Sequence, residues 1–120
     1  MDVTLNDTNF EKEINLLDKL VLVDFFAVWC GPCTVLEPIL ERVAEQFKEK
    51  IVLMKANLDD IPMTAQKFGV ERIPTVVLFK DGKPINGFVG LVPENSIVEW
   101  LKNIIENKSQ QSNGKQTANS

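Results

Sequence analysis

The chain of 120 residues is 44% hydrophobic and carries a formal net charge of −4, from 17 acidic and 13 basic residues. This length and apolar content predict one folded domain and exclude two, and the scattered basic residues argue against a nucleic-acid-binding protein or a membrane anchor. With no histidine and only two cysteines, the chain has no Cys–His protease site, no histidine general base, no mixed Cys/His zinc site and no four-thiolate metal site.

Apolar spacing predicts the first elements of the chain. Residues 3–5 are a short strand candidate, and the spacing of Phe10, Ile14 and Leu17 predicts a helix. Residues 20–26 form a near-continuous apolar run, typical of a strand covered on both faces. Asp24 is the only charged residue in that run. It is either a buried carboxylate or a strand-end carboxylate that points to solvent.

An amphipathic helix is predicted after this strand. Its apolar residues between positions 35 and 47 follow helical spacing, and the polar residues, Glu37 and Glu41 among them, fall on the opposite side. Residues 51–57 predict the next strand. Strand, helix and strand with short links predict a right-handed βαβ unit, in which a functional site lies at the carboxyl end of the first strand.

The second half of the chain predicts strands that pair differently from those of the βαβ unit. A short helix is expected from Pro62 to Gly69, and two apolar runs flank Asp81-Gly82, a strong hairpin signal. This half of the sheet is therefore expected to be antiparallel. A last helix begins at Pro93. Residues 109–120 are polar and aperiodic, so we expect a domain over residues 1–108 and a disordered tail over 109–120.

The segment Trp29-Cys30-Gly31-Pro32-Cys33 lies between the buried strand and the amphipathic helix. At the first turn of a helix, the first sulfur faces free backbone N–H groups and the positive end of the helix dipole, which stabilise a thiolate. The second sulfur lies on nearly the same face and can close a small disulfide ring. We therefore interpret the pair as a reversible dithiol/disulfide, with Cys30 as nucleophile and Cys33 as resolving thiol, rather than as two small buried apolar side chains.

Two charged residues are candidates for supporting roles. If Asp24 is buried, its pKa rises, and it becomes a plausible proton acceptor for Cys33 through a water molecule. Lys55, in the middle of the next strand, is either the charge partner of Asp24 or a solvated lysine. For Pro74, only about 5–6% of X–Pro bonds in folded proteins are cis, so the residues alone predict trans.

Residues 24–33, with their Trp-Cys-Gly-Pro-Cys end, and the later Ile73-Pro74-Thr75 closely resemble the thioredoxin family, over about residues 3–107. The resemblance implies an α/β thioredoxin fold: a central mixed five-stranded sheet of order 1-3-2-4-5 with helices on both faces. It also implies that Asp24 and Lys55 are the family's buried acid and its lysine partner.

The resemblance further implies a substrate-binding face. Pro74 matches a cis-proline that faces the cysteines, which reverses the expectation of a trans bond, and the backbone of Ile73 would pair with an extended substrate segment. Gly90 matches a glycine that leaves room for the substrate, and Trp29 is either a contact surface or a core residue. The chain departs from the usual family pattern at Phe26 and Thr34, where tryptophan and a basic residue are common.

The function implied is a thiol-disulfide oxidoreductase that reduces protein disulfides, with no metal or bound cofactor. Thioredoxin reductase, drawing on NADPH, would supply electrons, and disulfide-containing client proteins would receive them. We expect a monomer that binds neither nucleic acid nor membranes. Residues 1–7 are short and acidic and do not resemble a secretory signal, so the expected location is the cytoplasm. The alternatives are an oxidase or isomerase of the same fold, and a binding module without redox turnover.

Overall fold

The computed structural model describes residues 4–15 and 18–107. The strands are β1 (Leu20–Phe26), β2 (Ile51–Asn57), β3 (Thr75–Lys80) and β4 (Lys83–Val89). The helices are α1 (Phe10–Asn15), α2 (Gly31–Gln46), α3 (Pro62–Lys67) and α4 (Glu94–Glu106), with a 3-10 helix over Leu58–Asp60. No helix in these ranges is long and apolar enough to cross a membrane. Val3, Leu17 and the predicted tail lie outside the described residues.

The four strands form one mixed sheet of order β2-β1-β3-β4. β1 pairs in parallel with β2, while β3 pairs antiparallel with both β1 and β4. The predicted βαβ unit is confirmed as β1, α2 and β2. The predicted hairpin is confirmed too: Asp81 and Gly82 have φ angles of 52° and 78°, the left-handed conformations that a tight hairpin turn requires.

The predicted fifth strand is reduced to one bridge in the described residues. Thr4 pairs in parallel with Lys55 of β2, at the edge where the order 1-3-2-4-5 would place the first strand. The chain turns away directly afterwards, because the side chain of Asn6 accepts hydrogen bonds from the backbone N–H groups of Thr8 (2.9 Å) and Asn9 (2.8 Å). The strand order is therefore as predicted, but the described residues contain four strands instead of five.

Helices cover both faces of the sheet, as predicted, because β1 is apolar on both sides. One face packs on α1 and α3 and includes an aromatic group in which Phe10, Phe68 and Phe79 lie 5.3 to 5.7 Å apart between ring centroids. The other face packs on α2 and α4 through Leu36, Leu40 and the buried stripe of α4. These two cores fix the carboxyl end of β1 and the start of α2, where the cysteines lie.

Candidate active site

Cys30 and Cys33 form a disulfide at the start of α2, with Cα atoms 5.3 Å apart. Cys30 is the N-cap residue, in an extended conformation, and its Sγ accepts a hydrogen bond of 3.2 Å from the backbone N–H of Cys33. Thr34 donates through its hydroxyl to the Cys30 carbonyl at 3.3 Å. The first sulfur thus occupies the position where a helix N-terminus stabilises negative charge.

Exposure does not separate the two cysteines. Cys30 is 6% exposed and Cys33 is 4% exposed, so both residues are buried to a similar extent. What separates them is position: the Cys30 sulfur caps the helix, whereas Cys33 lines a cavity that also contains Asp24. Gly31 and Pro32 between them are exposed.

The surface beside the disulfide is apolar. Trp29 is 68% exposed and the preceding Val28 is 75% exposed, so Trp29 is a surface residue rather than part of the core. Leu91, beyond the end of β4, is also half exposed. Exposed large apolar side chains next to a reactive group are typical of a binding surface.

The Ile73–Pro74 peptide bond is cis, which corrects the trans expectation drawn from the residues and agrees with the family resemblance. Ile73 packs against the cluster formed by Ala27 and the two cysteines. Within the described residues, the backbone N–H and C=O of Ile73 have no backbone hydrogen-bond partner, because the residue precedes β3 and pairs with no strand. These groups are free to pair with an extended peptide.

Gly90 supports this segment from the end of β4. Its N–H donates to the Pro74 carbonyl at 2.8 Å, and its φ of 94° favours glycine. A Cβ atom built on Gly90 would meet nothing within 4 Å, so open space lies beside it. The structure therefore brings Trp29, Ile73, Pro74 and Gly90 to the same end of the sheet as the disulfide.

Asp24 lies in the middle of β1 and is only 2% exposed, which excludes the solvated alternative. Its Oδ1 has no hydrogen-bond partner among the described residues. The pKa of Asp24 is raised from 3.8 to about 7, first because burial disfavours the charged form and then because the Glu37 carboxylate is near; Lys55 acts in the opposite direction. A carboxyl group that titrates near neutral pH can accept and release a proton.

Lys55 lies opposite Asp24 in the register of β1 and β2, but within the described residues its salt bridges are to α2 and not to Asp24. Its ammonium group instead contacts Glu37 and, at 2.7 Å, Glu41, both on α2. Partial burial disfavours the ammonium, but hydrogen bonds to these two carboxylates outweigh it and raise the pKa of Lys55 above its usual range. Lys55 is thus a charge neighbour of Asp24 and the ion-pair partner of α2.

Sequence reasoning missed Glu37, which it placed among the solvated residues of α2. A signal was available in the spacing, because Glu37 follows Cys33 by four residues and therefore lies on the same helix face. A cavity of about 230 Å³ is lined by Asp24, Cys33, Glu37 and Lys55 together. This volume is sufficient for water between Asp24 and Cys33.

Comparison with known proteins agrees with this geometry. The family model described as Thioredoxin matches residues 2–103. The chain is 42% identical over 105 residues to the thioredoxin of Rickettsia bellii, covering 88% of this chain and 100% of the relative. It is 41% identical over 104 residues to the thioredoxin of Alicyclobacillus acidocaldarius, covering 87% and 98%. Thioredoxin 2 of Chlorobaculum tepidum is 43% identical over 95 residues, covering 79% and 87%.

The family match over residues 2–103 includes the disulfide at the start of α2 and the segment before β3. A cysteine pair at this spacing on a helix N-terminus is the chemical group through which electrons pass between dithiols and disulfides. The chain therefore belongs to the thioredoxin family and is a thiol-disulfide oxidoreductase.

Proposed function

We propose that the protein works as a reductase of protein disulfides, with Cys30 as the attacking nucleophile and Cys33 as the resolving thiol. The observation that carries this assignment is the position of the Cys30 sulfur, which caps α2 and accepts the Cys33 N–H. Once the pair is reduced, the same N–H and the helix dipole favour the thiolate at this atom. The names of the relatives support the direction of electron flow.

The reaction has two balanced steps. In the first, the Cys30 thiolate attacks one sulfur of a client disulfide; the client S–S bond breaks, a mixed disulfide forms on Cys30, and the other client sulfur leaves as a thiolate and takes a proton from solvent. In the second, Cys33 attacks the Cys30 sulfur, and the second client sulfur leaves and is protonated. The client gains two electrons and two protons, and the dithiol loses them.

We assign the proton step to Asp24. Cys33 must lose its proton before it attacks, and the raised pKa of Asp24 lets its carboxylate accept that proton near neutral pH. The cavity that both residues line supports transfer through water. Lys55 keeps this carboxylate partly ionised by its charge. Asp24 and Lys55 thus serve the second step, and not the first attack.

Client binding is assigned to the apolar surface and the free backbone beside it. An extended client segment would pair with the N–H and C=O of Ile73, because both lack a backbone partner in the described part of the chain. Pro74 directs this segment towards the disulfide, Gly90 leaves space for it, and Trp29 contributes contact area. The family supports a thioredoxin reductase as electron donor, and a reducing compartment, the cytoplasm, as the place of action.

The test is the equilibrium of the Cys30–Cys33 pair against glutathione and against a stronger dithiol reductant, followed by thiol alkylation and by tryptophan fluorescence. A potential below the glutathione poise of roughly −220 to −260 mV supports the reductase. A potential well above that range indicates an oxidase or isomerase instead. Absence of reversible reduction indicates a binding module.

A further inference from the structure

Two carboxylates of α2 hold the Lys55 ammonium. Glu37 and Glu41 are one helical turn apart, and both contact the Nζ atom, Glu41 at 2.7 Å. The Lys55 side chain is 19% exposed, whereas those of Glu37 and Glu41 are 48% and 53% exposed. The two more exposed carboxylates therefore draw the Lys55 ammonium group towards the protein surface.

The two glutamates differ in one respect. Glu37 lines the cavity that contains Asp24 and Cys33, and Glu41 does not. Glu37 follows Cys33 by one turn of α2, so its carboxylate and the Cys33 sulfur face the same space. Only one of the two partners of Lys55 is therefore placed to act directly on Asp24.

The charges that face Asp24 come from two elements. β2 contributes Lys55, and α2 contributes Glu37 and, in the reduced protein, the Cys33 thiol; Glu41 faces Lys55 from one turn further along. With Asp24 protonated, the charges of Glu37 and Lys55 cancel. With Asp24 ionised, these three groups carry a net charge of −1, and among the described residues the buried Asp24 Oδ1 has no hydrogen-bond partner to stabilise that charge.

We propose that Glu37 is a positioning residue of the dithiol/disulfide reaction: its carboxylate holds the Lys55 ammonium away from a direct ion pair with Asp24, and so favours uptake of the Cys33 proton by Asp24. The inference rests on the proposed function, since it needs Asp24 to be the proton acceptor. In that step the Cys33 S–H bond breaks and an O–H bond forms on Asp24. Glu37 and Lys55 keep their charges throughout.

The direct test is the titration of the Asp24 carboxyl carbon by NMR in the oxidised protein, compared between wild type, Glu37→Gln and Glu41→Gln. Glutamine keeps a hydrogen-bond acceptor for Lys55 and removes the charge. Glu37→Gln removes a negative neighbour of Asp24 and weakens the attraction that holds Lys55 away from Asp24, and both effects lower the midpoint, by roughly 1 pH unit. Glu41→Gln is the matched control and is expected to shift it much less.

The second readout is the pH profile for reduction of a disulfide-linked model peptide by each protein. For Glu37→Gln, the acidic limb of the rate profile is expected to move to lower pH by the same interval as the NMR midpoint. The maximum rate is expected to be lower, because Asp24 is then a weaker base. A role limited to folding would not move this limb. Circular dichroism of all three proteins checks that the substitutions leave the fold intact.

The outcomes are distinguishable. A shift of both the NMR midpoint and the pH profile in Glu37→Gln alone supports the inference. Unchanged titration of Asp24 in Glu37→Gln, or equal shifts in both variants, overturns it and leaves the reductase function standing. A shifted titration with an unmoved pH profile overturns the link to the reaction. Wild-type protein that does not reduce the peptide overturns the proposed function and, with it, the role of Glu37.

Discussion

Replacement of Asp24 by asparagine should stabilise the protein increasingly as the pH rises. The carboxyl group is 2% exposed, and its pKa is about 7 in the folded protein against 3.8 ordinarily. The folded state therefore binds the Asp24 proton more tightly than the unfolded state does. The stability that this group contributes is fully present below pH 3.8, falls as the pH rises, and is lost once the pH has passed through about 7.

The size of this pH dependence follows from the two pKa values of Asp24, the ordinary one and the one in the folded protein. At about 1.36 kcal/mol per pH unit, the interval from 3.8 to about 7 corresponds to about 4 kcal/mol. Asparagine cannot ionise and avoids this penalty. The free energy of unfolding of Asp24→Asn, minus that of the wild type, should thus grow by about 4 kcal/mol between pH 3 and pH 8. Burial of the amide adds an offset that does not depend on pH.

Guanidinium unfolding of both oxidised proteins, followed by tryptophan fluorescence from pH 3 to pH 8, measures this difference. The contributions of most other titrating groups to the free energy of unfolding are the same in both proteins and cancel in the difference. Asp59→Asn, a substitution of an exposed residue, controls for the loss of one formal charge. A difference between Asp24→Asn and wild type that stays constant within about 1 kcal/mol over this range would refute the reasoning, because it would mean that Asp24 does not change protonation on unfolding.

Two further predictions concern the reaction and the fold. Cys33→Ser should accumulate a client bound to Cys30 through a mixed disulfide, visible on a non-reducing gel, while Cys30→Ser should not react; normal cycling by Cys33→Ser would refute the role of Cys33 as resolving thiol. Asp7→Asn should lower the thermal midpoint at pH 7, because the Asp7 carboxylate accepts from the backbone N–H groups of Met63 and Thr64 and from the Thr64 hydroxyl. These bonds, the Thr64 hydroxyl first, lower the pKa of Asp7, so the destabilisation should shrink as the pH falls below 3.8; an equal loss at pH 7 and pH 3 would contradict this.

The elements around the site could be predicted because each depends on local residue pattern. The apolar run of β1, the spacing of α2 and the Asp81-Gly82 turn all have the structure that their residues favour. The buried Asp24 was visible as a charge inside an apolar run, although the residues alone left two interpretations. The structure decides between them, because both faces of β1 are covered and Asp24 is buried.

Other features depend on contacts between distant segments, which periodicity does not report. The cis bond before Pro74 lies in a segment that packs against the disulfide, and the low general frequency of cis bonds argues against predicting it. The ion pairs of Lys55 with Glu37 and Glu41 require α2 to cross β2 at a particular place. Helix periodicity shows only that both glutamates lie on a polar face. The turn at Asn6, which directs the chain away from β2 after Thr4, depends on side-chain hydrogen bonds.

β4 is an edge strand of the sheet, and its residues affect whether two molecules can associate through it. An exposed edge strand can serve as a template for another chain. On β4, Pro84 has no N–H to offer, Lys83 places a charge at its start, and the pairing with β3 shifts register between Leu78 and Phe79. A second copy of the protein would gain few hydrogen bonds at the start of β4, so this edge disfavours association between molecules through strand pairing.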